Sequence, residues 1–134
     1  MKIYTSYFDN MKNLENITFI SICGKAPEWY DGVQYKQLAP KYRFFMEWKK
    51  NKDNNYYIEH FNKEVLDELN VDDVIKDLEA LSDGKDVCLL CYEKVGEFCH
   101  RHLVAHWLIK NRYECRELVH DKKGVRLSVN NIIK

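Results

Sequence analysis

Short apolar runs alternate along this chain with segments whose apolar positions recur at helical spacing. Runs rich in β-branched and aromatic residues predict strands at 2–7, 17–23, 87–91 and 113–119. Apolar residues three and four positions apart predict helices at 54–69, 71–82 and 98–111. In the last of these, Leu103, Val104, Trp107 and Leu108 centre the predicted buried face, and His100 points the same way, close to the strand end that carries Cys91. The segment 30–50 contains Pro40 and predicts an irregular loop that leads into a short helix.

This alternation of strands and helices predicts an α/β architecture with a mostly parallel sheet of about four strands. The run Val87–Cys91 is almost continuously apolar, which is typical of a parallel strand covered on both faces. The chain has 134 residues and therefore fits one domain, which we assign to residues 1–134 with an undefined tail from 119.

The charges change this picture only in their distribution. The 21 basic and 21 acidic residues cancel, which argues against a general binder of nucleic acid or anionic membranes. However, residues 59–86 hold ten acids and three lysines, whereas residues 34–52 hold six bases and one acid. The simpler explanation of the acidic block is that it forms two solvated helix faces. The alternative is that the basic segments form a face that attracts an anionic ligand.

The chain has five cysteines, which is an odd number, and it is not a small disulfide-dense scaffold. The N-terminal residues have no apolar core of a signal peptide, and the longest apolar runs are far shorter than the roughly 20 residues of a membrane span. These features predict a cytoplasmic protein with free thiols and no membrane partner.

The window 88–107 carries the densest chemistry of the chain, at a point where a strand ends and a helix begins. Ligands of open α/β sheets lie outside the carboxyl ends of strands, and a helix N-terminus favours anions. Cys91 is the candidate nucleophile and His100 or Glu93 the general acid or base. These three form the predicted catalytic set. The predicted ligand-binding residues are Lys94, Cys99, Arg101, Ser6 and Lys36.

A zinc site is an alternative use of the same window. Cys88 and Cys91 point to opposite faces if both lie in a strand, which weakens a site that uses the pair. Cys99, His102 and His106 align on one helical stripe and form the better candidate ligand set. A thioredoxin-type dithiol fits poorly, because its first cysteine should open a helix.

The segment 35–50 interleaves aromatic and basic residues and motivates a non-catalytic alternative. Aromatic rings beside cations hold single strands and free bases. A binding module of this kind is a ligand sponge, a nucleic-acid accessory factor or an adaptor. A lid packed on the sheet explains the same pattern without any ligand.

The stretches Leu89–Lys94 and Cys99–Arg101 resemble the hallmark of the domain-of-unknown-function family 488, the YeaO-like family: a strand that ends in Cys-x-Glu-Lys, a loop, and Cys-His-Arg opening a helix. Ile3–Phe8 is similar to the first strand of its short Gram-positive and phage members, and the resemblance extends over about residues 1–118. It implies a small Rossmann-like three-layer fold in which the motif lines one pocket. It implies no activity, and the cofactor is unknown.

We therefore expect a pocket protein that binds, and by extension acts on, a small anionic or nucleotide-like ligand. The chain has no Gly-x-Gly-x-x-Gly, Walker or Gly-x-Ser-x-Gly motif, so dinucleotide, P-loop and hydrolase assignments lack support.

Overall fold

The computed structural model describes residues 1–10, 16–93, 98–121 and 124–128. Its strands are β1 (Ile3–Tyr7), β2 (Ile17–Ser21), β3 (Val33–Gln34), β4 (Asp86–Cys91), β5 (Arg116–Asp121) and β6 (Gly124–Ser128). They form one sheet in the order β3-β2-β4-β1-β5-β6. The first five of these are parallel, and β6 is antiparallel to β5.

The predicted α/β class with a mostly parallel sheet is confirmed, and the sheet has two strands more than the pattern indicated. Strand β3 has two residues, which is too short for any periodicity to be visible. Strand β6 lies in the tail from residue 119, for which the sequence pattern predicts no further element. It pairs with β5 in an antiparallel hairpin. Both additions lie at an edge of the sheet and leave the central strands as predicted.

Four α-helices connect the parallel strands within the described residues: α1 (Tyr42–Asn51), α2 (Asn54–Glu64), α3 (Val71–Ser82) and α4 (His100–Lys110). Side-chain caps define two of their starts. The Asp53 carboxylate accepts from the backbone N–H of Asn55, and Asn70 accepts from that of Asp73 at 3.1 Å. Such caps typically contribute ~1 kcal/mol each.

All four helices contribute to one core on the same face of the sheet, through residues such as Phe44, Phe61, Leu78 and Leu108. The handedness of the connections explains this. The helical crossovers from β3 to β4 and from β4 to β5 move in the same direction along the sheet. Right-handed crossovers in one direction place their helices on one face.

The opposite face of the sheet is covered by connecting segments instead of α-helices. Its core combines Phe8, Cys23 and Tyr30 with Cys88 and Leu90 of β4. The connections from β1 to β2 and from β2 to β3 run in the other direction, and Phe8 and Tyr30 lie within them. Within the described residues, the third layer therefore consists of connecting segments and the 3₁₀ turn Phe8–Asn10.

None of the described helices combines the length and the apolar character needed to cross a bilayer. The helix most relevant to the site is α4, whose buried face is the predicted one. Leu103, Val104, Trp107 and Leu108 are all buried, and each such side chain contributes roughly 1.5–3 kcal/mol through its removal from water. This packing fixes the first turn of α4 against the ends of the central strands.

Candidate functional site

The site lies where two parallel strands end beside the start of a helix. Cys91 is the last residue of β4, and Ile22 and Cys23 directly follow β2, its neighbour in the sheet. Cys99 is the N-cap of α4 and His100 its first residue. Because parallel strands share one carboxyl edge, residues far apart in the chain meet here, as predicted for the strand carrying Cys91.

Two cysteines and one histidine form a compact buried group at this point. The sulphur atoms of Cys91 and Cys99 and a ring nitrogen of His100 all lie within 4.8 Å of one another. The structure joins Cys91 and Cys99 in a disulfide. The prediction that all thiols are free is therefore wrong for this pair, because the strand end and the helix start bring them together. The other three cysteines are free.

His100 is held as a neutral imidazole with a defined orientation. Burial lowers its pKa to about 4, so the ring is uncharged at neutral pH. Nε2 lies 2.7 Å from the carbonyl oxygen of Ile22, and a carbonyl can only accept, so Nε2 carries the proton. Nδ1 then keeps its lone pair and lies 4.0 Å from the sulphur of Cys99. That lone pair can accept a proton or ligate a metal.

A cavity of about 750 Å³ opens directly above this group. Six of its lining residues are aromatic, and helix α1 supplies three of these six. The aromatic lining residues are Tyr42, Phe45, Trp48, Tyr57, Tyr92 and Phe98. The predicted catalytic residues Cys91, Glu93 and His100 lie together in its lining, next to Cys99 and Cys23. The volume is within the usual range for a small-molecule site.

Lysines give the cavity a positive rim. Lys25, Lys49 and Lys52 line it, and all three are exposed. The ammonium of Lys49 lies 5.3 Å from the centre of the Phe45 ring, and that of Lys52 lies 5.2 Å from Trp48. Each cation therefore sits over an aromatic wall. Glu93 is the acidic residue of the lining, which leaves an excess of positive charge for an anion.

Arg101, which is predicted to bind ligand, is not among the residues that line the cavity. Its side chain is completely buried and forms a two-pronged ion pair with Glu117 of β5, at 2.9 and 2.7 Å. Nη1 also donates to the backbone oxygen of Glu93 at 2.6 Å and lies 3.6 Å from the sulphur of Cys91. The guanidinium thus holds an internal carboxylate and supports the floor of the site.

Glu117 keeps its charge in this interior position. Burial alone would raise its pKa, but hydrogen bonds from His102 and Arg101 outweigh that effect and lower the pKa to about 2. Thr5 of β1 donates to the same carboxylate at 2.5 Å. These contacts join α4, β1 and β5 beneath the cavity. No motif had pointed to Glu117 or Thr5.

Two other predicted ligand-binding residues, Ser6 and Lys36, are not among the residues that line the cavity in the described part of the chain. Ser6 is buried in β1, where its hydroxyl donates to the carbonyl of Leu118 at 3.1 Å. Lys36 is exposed and opens the 3₁₀ turn after β3, away from the lining residues. A position near the end of a strand therefore does not define the direction of a side chain. Lys94 lies outside the described residues.

The predicted zinc set of Cys99, His102 and His106 is not assembled. His102 faces Glu117, with Nε2 3.5 Å from its carboxylate, and His106 is exposed. Cys99 is the N-cap and is extended, so it departs from the helical stripe on which that set depended. Cys23 was missed, although it follows β2 by the same rule that identified Cys91. Burial raises its pKa to about 12, which keeps it a thiol.

Comparison with known proteins agrees with the motif. A family model with the description "Active DUF488-N3 subclade" matches residues 10–112, which is well over half of the chain. The match spans the strands and helices that build the cavity. No curated protein and no solved structure gives a significant match.

Proposed function

The chain belongs to the DUF488-N3a family, and we propose that it binds a small anionic, nucleotide-like ligand in the cavity above Cys91, Cys99 and His100. The observation that carries this proposal is the composition of the lining: aromatic walls, a lysine rim and a buried Cys/His floor around one volume of about 750 Å³. Each of these three parts suits a different portion of such a ligand.

The aromatic walls suit a planar base. The rings of Trp48 and Phe98 are 5.7 Å apart and mutually tilted, and Tyr57 meets Phe98 edge to face at 5.1 Å. Base stacking on such side chains contributes ~1–3 kcal/mol per base. Tyr42, with 76% of its surface exposed, gains burial when a ring covers it.

The lysine rim suits a phosphate or a similar anion. Lys49 and Lys52 approach the cavity from the end of α1, while Lys25 approaches from the connection after β2. A lysine binds phosphate as a point charge and needs no fixed geometry, which fits exposed side chains. A bound anion also reduces the electrostatic repulsion among the three lysine side chains.

We propose that the inner end of the ligand meets the floor of the cavity, where the predicted catalytic residues line it. Cys91 and His100 are buried and Glu93 lies beside them in the lining. We propose that any chemistry on the ligand takes place at these residues after the Cys91–Cys99 disulfide is reduced, because only the free thiolate of Cys91 is a nucleophile. A module that only binds would use the same walls and rim and leave this floor without a role.

Titration of the protein with nucleoside monophosphates tests the proposal. Trp48 lines the cavity, so its fluorescence should be quenched on binding. The matched ligands are the nucleoside and inorganic phosphate alone, both expected to bind at least tenfold more weakly than the monophosphate. The double variant Lys49→Gln/Lys52→Gln should lose about tenfold in affinity, or ~1.4 kcal/mol.

Lys50→Gln is the matched control, since Lys50 is exposed on the same helix but does not line the cavity. It should bind as the wild type does. Equal affinity for nucleoside and nucleotide, or equal losses in the control and the double variant, contradicts the proposal. Salt-dependent binding of an oligonucleotide without binding of any mononucleotide favours the nucleic-acid module instead.

A further inference from the structure

We propose that Cys91, Cys99 and His100 form a zinc site, in the dithiol state of the two cysteines, with one coordination position open to the cavity. The site lies in the floor of the proposed ligand pocket, but its existence does not depend on which ligand the pocket takes. It also differs from the helical set of Cys99, His102 and His106, which the fold does not assemble.

The donor atoms fit zinc in kind and number. Two sulphur atoms and one ring nitrogen lie within 4.8 Å of one another, and all three residues are buried. Zinc binds thiolate sulphur at ~2.3 Å and imidazole nitrogen at ~2.0 Å, in a tetrahedral arrangement. Three protein ligands leave a fourth position, which is the arrangement of catalytic zinc sites. Here all three donors line the cavity, so that position faces it.

Neighbouring groups hydrogen-bond to the proposed metal ligands or lie close to them, and thereby orient them. Nε2 of His100 donates to the Ile22 carbonyl at 2.7 Å, which fixes the ring and turns the lone pair of Nδ1 towards Cys99. Metal-bound histidines almost always donate their other N–H in this way. Nη1 of Arg101 lies 3.6 Å from the sulphur of Cys91, where it favours a thiolate.

The backbone spacing suits two ligands of one ion. The Cα atoms of Cys91 and Cys99 are 7.4 Å apart, wider than the ~4.4–6.8 Å that disulfides usually span. Two sulphurs that share a tetrahedral zinc ion lie roughly 3.8 Å apart, nearly twice the length of an S–S bond. A strand end and a packed helix start hold the two residues at this wider separation.

Zinc binding requires that the disulfide is first reduced. Two molecules of a small thiol reductant supply two electrons and two protons, giving the thiols of Cys91 and Cys99 and the disulfide of the reductant. Each cysteine then releases its proton as it binds Zn²⁺. The two thiolates neutralise the charge of the ion, and neutral His100 completes the protein ligands.

The test uses the full chain, reduced with a small thiol, freed of that thiol by desalting and offered Zn²⁺ or Co²⁺ alone. We expect about one equivalent of bound zinc. The cobalt form should show intense visible bands of a tetrahedral ion and near-ultraviolet sulphur-to-cobalt charge transfer. The oxidised protein should bind at least 100-fold more weakly. Nucleotides are absent, so this result is separate from that of the ligand titration.

Variants identify the ligands. Cys91→Ser and Cys99→Ser should each weaken metal binding at least 100-fold and reduce the charge-transfer intensity. His100→Ala should weaken it as strongly, whereas His106→Ala, an exposed residue of the same helix, should bind normally. Cys23→Ser is the sharpest control, because Cys23 lines the same cavity but is not one of the three donors.

Several results would overturn the proposal. One is a reduced, folded wild type that binds no metal, which would leave thiol nucleophile chemistry as the use of the floor. Another is undiminished binding by the Cys91→Ser and Cys99→Ser variants. If those variants fail to fold, the wild-type cobalt spectrum decides, since charge-transfer intensity reports the number of bound thiolates. A loss in Cys23→Ser equal to that in Cys99→Ser contradicts a site with three protein ligands and an open position.

Discussion

His100 and Arg101 are neighbours in the first turn of α4, yet they serve opposite sides of the site. His100 lines the cavity, hydrogen-bonds the carbonyl of Ile22 and is uncharged at neutral pH. Arg101 is turned away from the cavity, and its charge is paired with Glu117 in the interior. The histidine of the Cys-His-Arg motif therefore faces the cavity, and the arginine that follows it anchors the structure beneath.

The difference between these two regions is one of charge and solvent. The cavity side combines exposed lysines with a neutral floor, so it can respond to an incoming anion. On the interior side, the Glu117 carboxylate is met by Arg101, Thr5 and His102. Removal of one partner of the interior ion pair leaves the other charge buried and uncompensated. Removal of an exposed rim lysine only lets water take its place. Mutations should therefore separate the two regions into stability effects and binding effects.

Arg101→Ala should produce the largest change. It leaves Glu117 buried without its main partner, which typically costs about 3–5 kcal/mol of the free energy of unfolding. Urea denaturation of the variant and the wild type measures this loss. The double variant Arg101→Met/Glu117→Leu should recover much of it, because both charges are then gone. A loss below ~1 kcal/mol, together with weakened nucleotide binding, would return Arg101 to the ligand site.

Lowering the pH should gradually reduce the stability that the ionised Glu117 contributes to the same region. The pKa of Glu117 is about 2 in the folded chain and near 4.5 when unfolded, so its contribution is complete above pH 4.5 and is lost as the pH falls towards 2. The full shift corresponds to roughly 3 kcal/mol. The measurable quantity is the difference in unfolding free energy between wild type and Glu117→Gln, which removes the effect of other carboxylates.

That difference should shrink steadily as the pH falls from 4.5 towards 2. A difference that stays constant over this window would mean that the Glu117 carboxylate is not what the neighbouring guanidinium stabilises. Arg101 and Thr5 donate to this carboxylate, and Nε2 of His102 lies 3.5 Å from it.

Sequence reasoning reached the cavity side of the motif for local reasons. The apolar run Val87–Cys91 indicated a central strand, and the spacing of Leu103, Val104, Trp107 and Leu108 indicated the buried face of α4. Together these placed His100 beside the strand end that carries Cys91. Both elements are close in the chain, so periodicity and one short connection were sufficient.

The interior side could not be reached in this way. Glu117 lies 16 residues after Arg101, and Thr5 lies 112 residues from Glu117, so their contact depends on the strand order that inserts β1 between β4 and β5. Periodicity carries no information on that order. A guanidinium fork also fits a ligand anion and an internal carboxylate equally well, and only the position of the partner distinguishes the two.

Ser6→Ala should produce the smallest effect and tests the boundary between the two regions. Ser6 was expected to bind ligand, but its buried hydroxyl donates to the carbonyl of Leu118 at 3.1 Å and joins β1 to β5. Loss of this hydrogen bond should lower the free energy of unfolding by about 1 kcal/mol. Affinity for a nucleoside monophosphate should stay within about twofold of the wild type.

Lys49→Gln is the opposite case, with weaker binding and unchanged stability, because Lys49 is exposed on the cavity rim. If Ser6→Ala weakens binding as much as Lys49→Gln does while stability is unchanged, the end of β1 belongs to the ligand site, and the division between a binding floor and a structural interior is misplaced there.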